Sequence, residues 1–351
     1  MENIKGTKLF TKSDKNCLKI CSEILAAGGL VAFPTETVYG LGANALDPEA
    51  VKGIFAAKQR PVDNPLIVHV DSLQKVQDLV AELPPEAELL AERFWPGPLT
   101  LVLSKREIVP QVTTGGLDTV AVRIPDHSLA LELLKESTLP IAAPSANLSG
   151  RPSPTTAQHV IEDLAGRIEA IIDGGATGIG VESTVLSLTE RKATLLRPGG
   201  ITYEQLEQTL GRVEIDPVVR SELEKEVSQA LAPGMKYQHY SPQAEVILVA
   251  GECSQIPRKI ASLAKKYLNL GKKVGIMATQ ENLDFYSLGQ IKVMGSRDRL
   301  AEISANLFKL LREFDSLGVD IILVEALPTQ GLGLAIMNRL RKSADGQIIK
   351  A

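Results

Sequence analysis

Lys58 and Arg60 close the helical pattern "DPEAVKGIFAAKQRP", in which Asp47 can cap and Pro48 can take the first helical position. Val51, Ile54 and Phe55 mark its core-facing stripe, and Lys58, seven residues after Val51, falls on the same stripe. A lysine there either snorkels to solvent or points into a cleft. Two cations within three residues at a loop mouth suit a polyanion such as a triphosphate, or else form a solvated surface pair.

Two strand-like runs carry further candidates. In "PLIVHV", alternation puts Leu66, Val68 and Val70 on one face and Ile67 and His69 on the other. A lone strand histidine is either a hydrogen-bonded core group or a ligand contact. "TVAVRI" repeats the pattern, with Thr119, Ala121 and Arg123 opposite Val120, Val122 and Ile124. An arginine on a buried side must meet an anion, so either an internal salt bridge or an anionic ligand answers it.

"PIAAPSANLSGRPSPTT" is the richest stretch. A strand ends near Ala143, and Ser145, Asn147, Ser149 and Ser153 then crowd a loop of glycine and proline. Such hydroxyls and amides can bind phosphate or ribose. Ser153, ahead of Pro154, is also a good helix N-cap.

The elements that must position these groups follow from hydrophobic rhythm. Residues 1–215 alternate runs such as "GLVAF", "LTLVLS", "LPIAA" and "STVLSL" with helical patterns, which predicts an α/β domain with a large sheet. Residues 216–243 read as a tether with room for one short helix. From 244 to 351 strands and helices alternate strictly, predicting a smaller doubly wound, Rossmann-like domain with a parallel sheet. "GLGLAIMNRL" follows its last strand, and no GxGxxG follows its first, so these glycines read as structural.

Composition narrows the class. A chain of 351 residues with 44% hydrophobic and 23% charged residues is an ordinary globular protein, and a net charge of −4 argues against a nucleic-acid coat. Cys17, Cys21 and Cys253 form no CxxC pair, so neither a disulfide framework nor a cysteine zinc site is expected, and the first two read as one buried helix face. "MENIKGTKLF" lacks the apolar run of a signal peptide and no stretch approaches a membrane span, so a cytoplasmic location without membrane contact is expected.

Seven runs, "FPTETVYGLG", "KQRPVDNPLIVHV", "WPGPLTLVL", "VAVRIPDH", "PIAAPSANLSGRPSPT", "GIGVESTVL" and "LLRPGGI", closely resemble the YrdC-type L-threonylcarbamoyladenylate synthases, in the family's order. "PGMKYQHYSP" followed by an α/β domain resembles the two-domain form of those enzymes. The resemblance implies a YrdC-like twisted open sheet in the first domain. It implies a nucleotidyltransferase that turns L-threonine, bicarbonate and ATP, with magnesium, into threonylcarbamoyl-AMP and pyrophosphate for tRNA modification. A separate transferase complex would complete that modification, and tRNA itself is a candidate ligand.

Carried over by position, Lys58, Arg60, Ser145 and Asn147 match the family's catalytic set at the nucleotide end. Thr35, His69, Arg123, Ser183 and the backbone of Ala143 match its threonine contacts. Thr119, Ser153 and Arg197 match further ATP contacts. The tether segment Lys236–Ser241 then reads as a lid that brings Tyr237 or His239 to the nucleotide, or as an inert clasp.

Two other classes compete. A carbamoyl-adenylate-forming maturation enzyme uses a related domain, but carries acylphosphatase and cysteine zinc modules that this sequence lacks. An RNA-binding module would need stacking platforms, and an aromatic content of 4% provides few.

Overall fold

The computed structural model describes residues 2–190, 192–220 and 240–351. They fall into two compact units, the first within 2–149 and 153–220, the second within 150–152 and 240–351.

In unit 1, β1 (Glu2–Ile4) and β2 (Thr7–Thr11) precede α1 (Cys17–Ala26), which buries Cys17, Cys21 and Leu25 along one stripe. Next come β3 (Val31–Phe33), β4 (Gly40–Asn44), α2 (Pro48–Lys58), β5 (Ile67–His69), α3 (Leu73–Leu79) and α4 (Pro85–Phe94). They are followed by β6 (Leu99–Ser104), β7 (Thr119–Arg123), α5 (Ser128–Ser137), β8 (Ile141–Ala142), α6 (Ala157–Leu164) and β9 (Ala170–Asp173). The unit closes with β10 (Thr184–Ser187), β11 (Thr194–Arg197), α7 (Tyr203–Leu210), β12 (Glu214–Ile215) and α8 (Pro217–Arg220). The last of these is a short helix inside the stretch read as tether, packed on β11 with Val219 buried.

All twelve strands join one mixed sheet, in the order β1-β2-β9-β3-β4-β8-β5-β7-β6-β10-β11-β12. Helices α1 and α5 pack together over it, so Cys21, Leu25, Leu133 and Leu134 meet Val31, Ile141 and Ile172 in one core. Each aliphatic side chain so buried contributes about 2 kcal/mol. Strand β4 does not look like a strand in sequence, because "GLGAN" is glycine-rich. A Cβ on Gly42 would lie 2.8 Å from both Phe33 and Ile141, so the glycine is what lets the β3 phenylalanine cross there.

Unit 2 holds β13 (Glu245–Ala250), α9 (Ile256–Asn269), β14 (Val274–Thr279), a 3-10 turn at Gln280–Phe285, β15 (Gln290–Gly295), α10 (Leu300–Leu317), β16 (Ile321–Glu325), α11 (Leu332–Ser343) and β17 (Ile348–Lys350). Its sheet is all parallel, ordered β15-β14-β16-β13-β17. Connections from β13 to β14 and β15 run one way across the sheet, and those from β15 to β16 and β17 run back. Right-handed crossovers therefore put helices on both faces, the doubly wound arrangement that the strict alternation predicts. Tyr240 is buried in this unit. Its ring stacks 5.2 Å from Phe308 and its carbonyl accepts from Ser343 Oγ at 2.8 Å.

Candidate active site

Strands β5, β7, β6 and β10 lie side by side, with Ile67 opposite Ala121, His69 opposite Arg123, Val102 opposite Ala121 and Val185 opposite Thr100. Cross-strand partners share a face. Ile67, Ala121, Val102, Val185 and Leu196 thereby form one apolar floor. Its two ends are polar. His69 and Arg123 stand at the C-terminal ends of β5 and β7, where β6 and β10 begin and bring Thr100 and Ser183. Extending the β5–β7 register by two residues sets Thr119 across from Pro65 at the other end. Arg123 lies four residue steps along β7 from Thr119, about 13 Å.

At the first end, Arg123 is 3% exposed and each of its nitrogens is engaged. Nε donates to the Gly97 carbonyl at 3.1 Å, Nη1 donates to Thr37 Oγ1 at 3.1 Å, and Nη2 lies 2.6 Å from Glu36 Oε1. The internal anion that a buried arginine requires is Glu36. Their contact is an ion pair without hydrogen-bond geometry, because neither Nη2 nor either Glu36 oxygen has a hydrogen-bond partner among the described residues. Thr35 Oγ1 donates to the Val38 carbonyl at 2.6 Å and sits 2.8 Å from Thr37 Oγ1, so Thr35 shapes the turn and Thr37 reaches the arginine.

His69 packs edge-on to Phe33, 6.3 Å between ring centres, with Nδ1 3.3 Å from the Ile67 carbonyl. Burial, reinforced by the Arg123 charge, pushes its pKa down to about 3, so the ring is neutral at physiological pH. Ser183 Oγ lies 2.8 Å from Thr100 Oγ1 and accepts from Arg197 Nη2 at 3.1 Å, while Arg197 Nε donates to the Ser183 carbonyl. Gly199 makes this clasp possible, since a Cβ there would fall 2.3 Å from the Thr184 amide nitrogen.

At the other end, Lys58 is 1% exposed and does not snorkel. Its ammonium donates to the Ser145 carbonyl and, at 2.5 Å, to the Asn147 carbonyl, and Ser149 N–H donates to the Lys58 carbonyl. Arg60, 9% exposed, is no surface cation; its Nη2 donates to the carbonyls of Asn64 and Pro65 at 3.4 and 3.3 Å. Ala143 N–H donates to the Ile67 carbonyl, fixing the loop that follows against β5. The alternative of Ser153 as a helix cap fails. Helix α6 is capped by Thr156, whose hydroxyl accepts from His159 N–H, whereas Ser153 Oγ donates to buried Glu182 Oε1 at 2.5 Å.

The fold thus brings Thr35, His69, Arg123 and Ser183 to one end of the floor and Lys58, Arg60, Ser145 and Asn147 to the other, with Thr119 on the latter's side. Sequence reading passed over Glu36, Thr37, Thr100 and Asn64. Asn64 is wholly buried with neither side-chain atom partnered among the described residues, and "VDNP" looks like an ordinary turn. Only the burial of that amide marks it. Lys236, Tyr237 and His239 lie outside the described residues. No group of three potential metal ligands occurs among the described residues, and no described helix is long and apolar enough to cross a membrane.

Residues 23–199 match the model of the Sua5/YciO/YrdC family, described as telomere recombination, and residues 201–345 match the threonylcarbamoyl-AMP synthase C-terminal domain. A threonylcarbamoyl-AMP synthase of Pyrococcus abyssi is 56% identical over 95% of each chain. One from Bacillus subtilis is 51% identical over 93% of this chain and 92% of its own. The crystal structure of Pyrococcus abyssi Sua5 complexed with L-threonine superposes with a TM-score of 0.93 at 54% identity, covering 98% of this chain and 99% of that one.

Proposed function

Because this chain belongs to the Sua5/YciO/YrdC family and matches its threonylcarbamoyl-AMP synthases over both units, we propose that the two polar ends in unit 1 seat ATP and L-threonine across the apolar floor. The chain is a nucleotidyltransferase that forms threonylcarbamoyl-AMP and pyrophosphate from L-threonine, bicarbonate and ATP, for threonylcarbamoyladenosine in tRNA.

The chemistry needs no protein nucleophile. Threonine's amine and bicarbonate combine into a carbamate with loss of water, and a carbamate oxygen then attacks the ATP α-phosphorus while pyrophosphate leaves. What the protein supplies is position, charge screening and protection of a labile mixed anhydride from water. We assign Lys58 and Arg60, with Ser145, Asn147 and the unpartnered amide of Asn64, to the triphosphate end. Thr119 and Ser153 are assigned to the nucleotide as well, and Arg197 reaches it from the Ser183 side of the floor, where its Nη2 donates to Ser183 Oγ. Arg123 receives the threonine carboxylate, Thr37 and Ser183 offer hydroxyls, and His69 contacts the substrate as a neutral ring. The carbamate and α-phosphate meet above Ile67 and Ala121, where an apolar floor excludes water.

Magnesium belongs with the triphosphate in this reading. No group of three potential metal ligands occurs among the described residues, and the triphosphate oxygens would supply part of its coordination. The product passes to a threonylcarbamoyl transferase complex, with tRNA as that step's acceptor.

One observation carries the assignment: Lys58 and Arg60 gather on the carbonyls of Ser145, Asn147, Asn64 and Pro65 before the start of β5, while the paired Arg123 closes β7 at the far end, with Ile67 and Ala121 between them. The test is to incubate the purified chain with ATP, magnesium, bicarbonate and L-threonine and follow pyrophosphate and the threonine-dependent adenylate by mass spectrometry. Both products should vanish when threonine or bicarbonate is omitted. Pyrophosphate that forms equally without threonine would overturn the reading.

A further inference from the structure

Glu36 is a carboxylate with two oxygens shielded from solvent and no hydrogen bond among the described residues. Its side chain is 12% exposed, beside the guanidinium of Arg123 at 2.6 Å. A carboxylate can accept about four hydrogen bonds, and a buried one that accepts none is costly unless a donor arrives. Arg123 supplies counter-charge to Oε1 without hydrogen-bond geometry, and the neighbouring hydroxyls supply no further donor. Thr37 Oγ1 accepts from Arg123 and stands against Thr35, and the Thr35 hydroxyl is spent on the Val38 carbonyl.

An α-amino acid is itself an ion pair on one carbon. Its carboxylate complements Arg123, and its ammonium, with three N–H donors, complements an acceptor-only carboxylate next to that arginine. From this juxtaposition, and resting on the threonine reading above, we infer that Glu36 is a binding residue for the substrate's α-ammonium and the group that makes the site select amino acids over other carboxylic acids. Arg123 alone would draw in any carboxylate. With Glu36 beside it, an acid that lacks the ammonium brings its charge against a second carboxylate and leaves that carboxylate's oxygens without donors. His69 adds no charge to this balance, being neutral at physiological pH.

The same geometry separates this role from a purely structural one. If Glu36 served only to neutralise Arg123, its removal would weaken every carboxylate ligand or strengthen every one, without regard to the amino group. If it receives the ammonium, the loss falls on amino acids and the gain on their deaminated analogues.

Titration calorimetry of the full chain with L-threonine and with 3-hydroxybutanoate, its deaminated analogue, reads this directly. Wild type should bind L-threonine and prefer it to 3-hydroxybutanoate by about a hundredfold or more. Glu36→Gln should weaken L-threonine by about tenfold or more and strengthen 3-hydroxybutanoate, with ATP affinity unchanged. Glu36→Asp, which keeps the charge, should retain the preference at lower affinity, and melting curves check that each variant is folded. A folded Glu36→Gln protein with an unchanged preference would overturn the inference and leave the synthase reading standing. So would equal losses for both ligands. Wild type that binds no L-threonine would overturn both.

Discussion

The ammonium of Lys58 lies 2.5 Å from the carbonyl oxygen of Asn147, a contact that spans 89 positions of sequence and ties the end of α2 to the loop after β8. The site's lysine is therefore also a fastener. Lys58→Met would leave the Ser145 and Asn147 carbonyls without this donor, at about 2–4 kcal/mol of stability. Adenylate formation should fall by about a hundredfold or more, since the cation proposed for the triphosphate end is lost. Lys58→Arg should not rescue it, because a planar fork does not fit a buried point-charge site. Urea denaturation and pyrophosphate release check both parts, and turnover within threefold of wild type would remove Lys58 from the nucleotide end.

His69 gives a pH prediction with a definite sign. Its pKa is about 3 when folded, against 6.5 for an exposed histidine. Between those values the unfolded chain takes up a proton that the folded protein refuses, so stability is lost as pH falls below about 6.5, by up to about 1.4 kcal/mol per unit. His69→Gln should remove that slope. Urea midpoints at pH 5 and pH 7 should show wild type losing about 2 kcal/mol more than the variant over the interval. Equal losses would mean that the ring is protonated in the fold.

Much of this site was legible because alternation in a strand is a local property. His69 and Arg123 could be put on one face from "PLIVHV" and "TVAVRI" alone, and the register that pairs them agrees. What one strand cannot reveal is which group of another strand or turn it meets. Glu36 as the partner of Arg123, Glu182 as the partner of Ser153 and Thr100 against Ser183 all join distant segments. The same limit explains Ser153. Proline after serine is a sound local sign of a cap, but Thr156 three residues on satisfies the same geometry, and only the buried Glu182 decides between them. Strand β4 stayed hidden for another reason, since glycine's β propensity is poor and its use at Gly42 is to admit Phe33.

Gly199 makes a sharper test of the Ser183 clasp than deleting either partner. A methyl there would lie 2.3 Å from the Thr184 amide nitrogen and 2.4 Å from the Glu182 carbonyl oxygen, both backbone atoms that cannot swing aside. Gly199→Ala should therefore push β10 away from Arg197, costing about 2 kcal/mol or more. L-Threonine affinity should fall with it, by about tenfold, because Ser183 moves with its strand. A variant with wild-type melting temperature and threonine affinity would show that the backbone relaxes around the methyl.

Unit 2 has its own buried charge. Glu325, wholly inaccessible at the end of β16, accepts from Thr279 N–H and Oγ1, Asn282 Nδ2, Tyr286 Oη and Arg297 Nη2, the last at 2.7 Å. Burial and the Glu325 charge push the Tyr286 pKa above the usual phenol range, which keeps its proton available for that bond. Five donors on one carboxylate hold the loops after β14 and β15 to the centre of the sheet. Arg297→Met should cost about 3 kcal/mol or more, because the buried carboxylate loses its counter-charge. Replacing both residues, Glu325→Met with Arg297→Met, should cost less than the arginine change alone. Calorimetric unfolding of the two single variants and the double variant closes the cycle. A double variant less stable than either single one would show the network to be a sum of independent bonds and not a compensated charge.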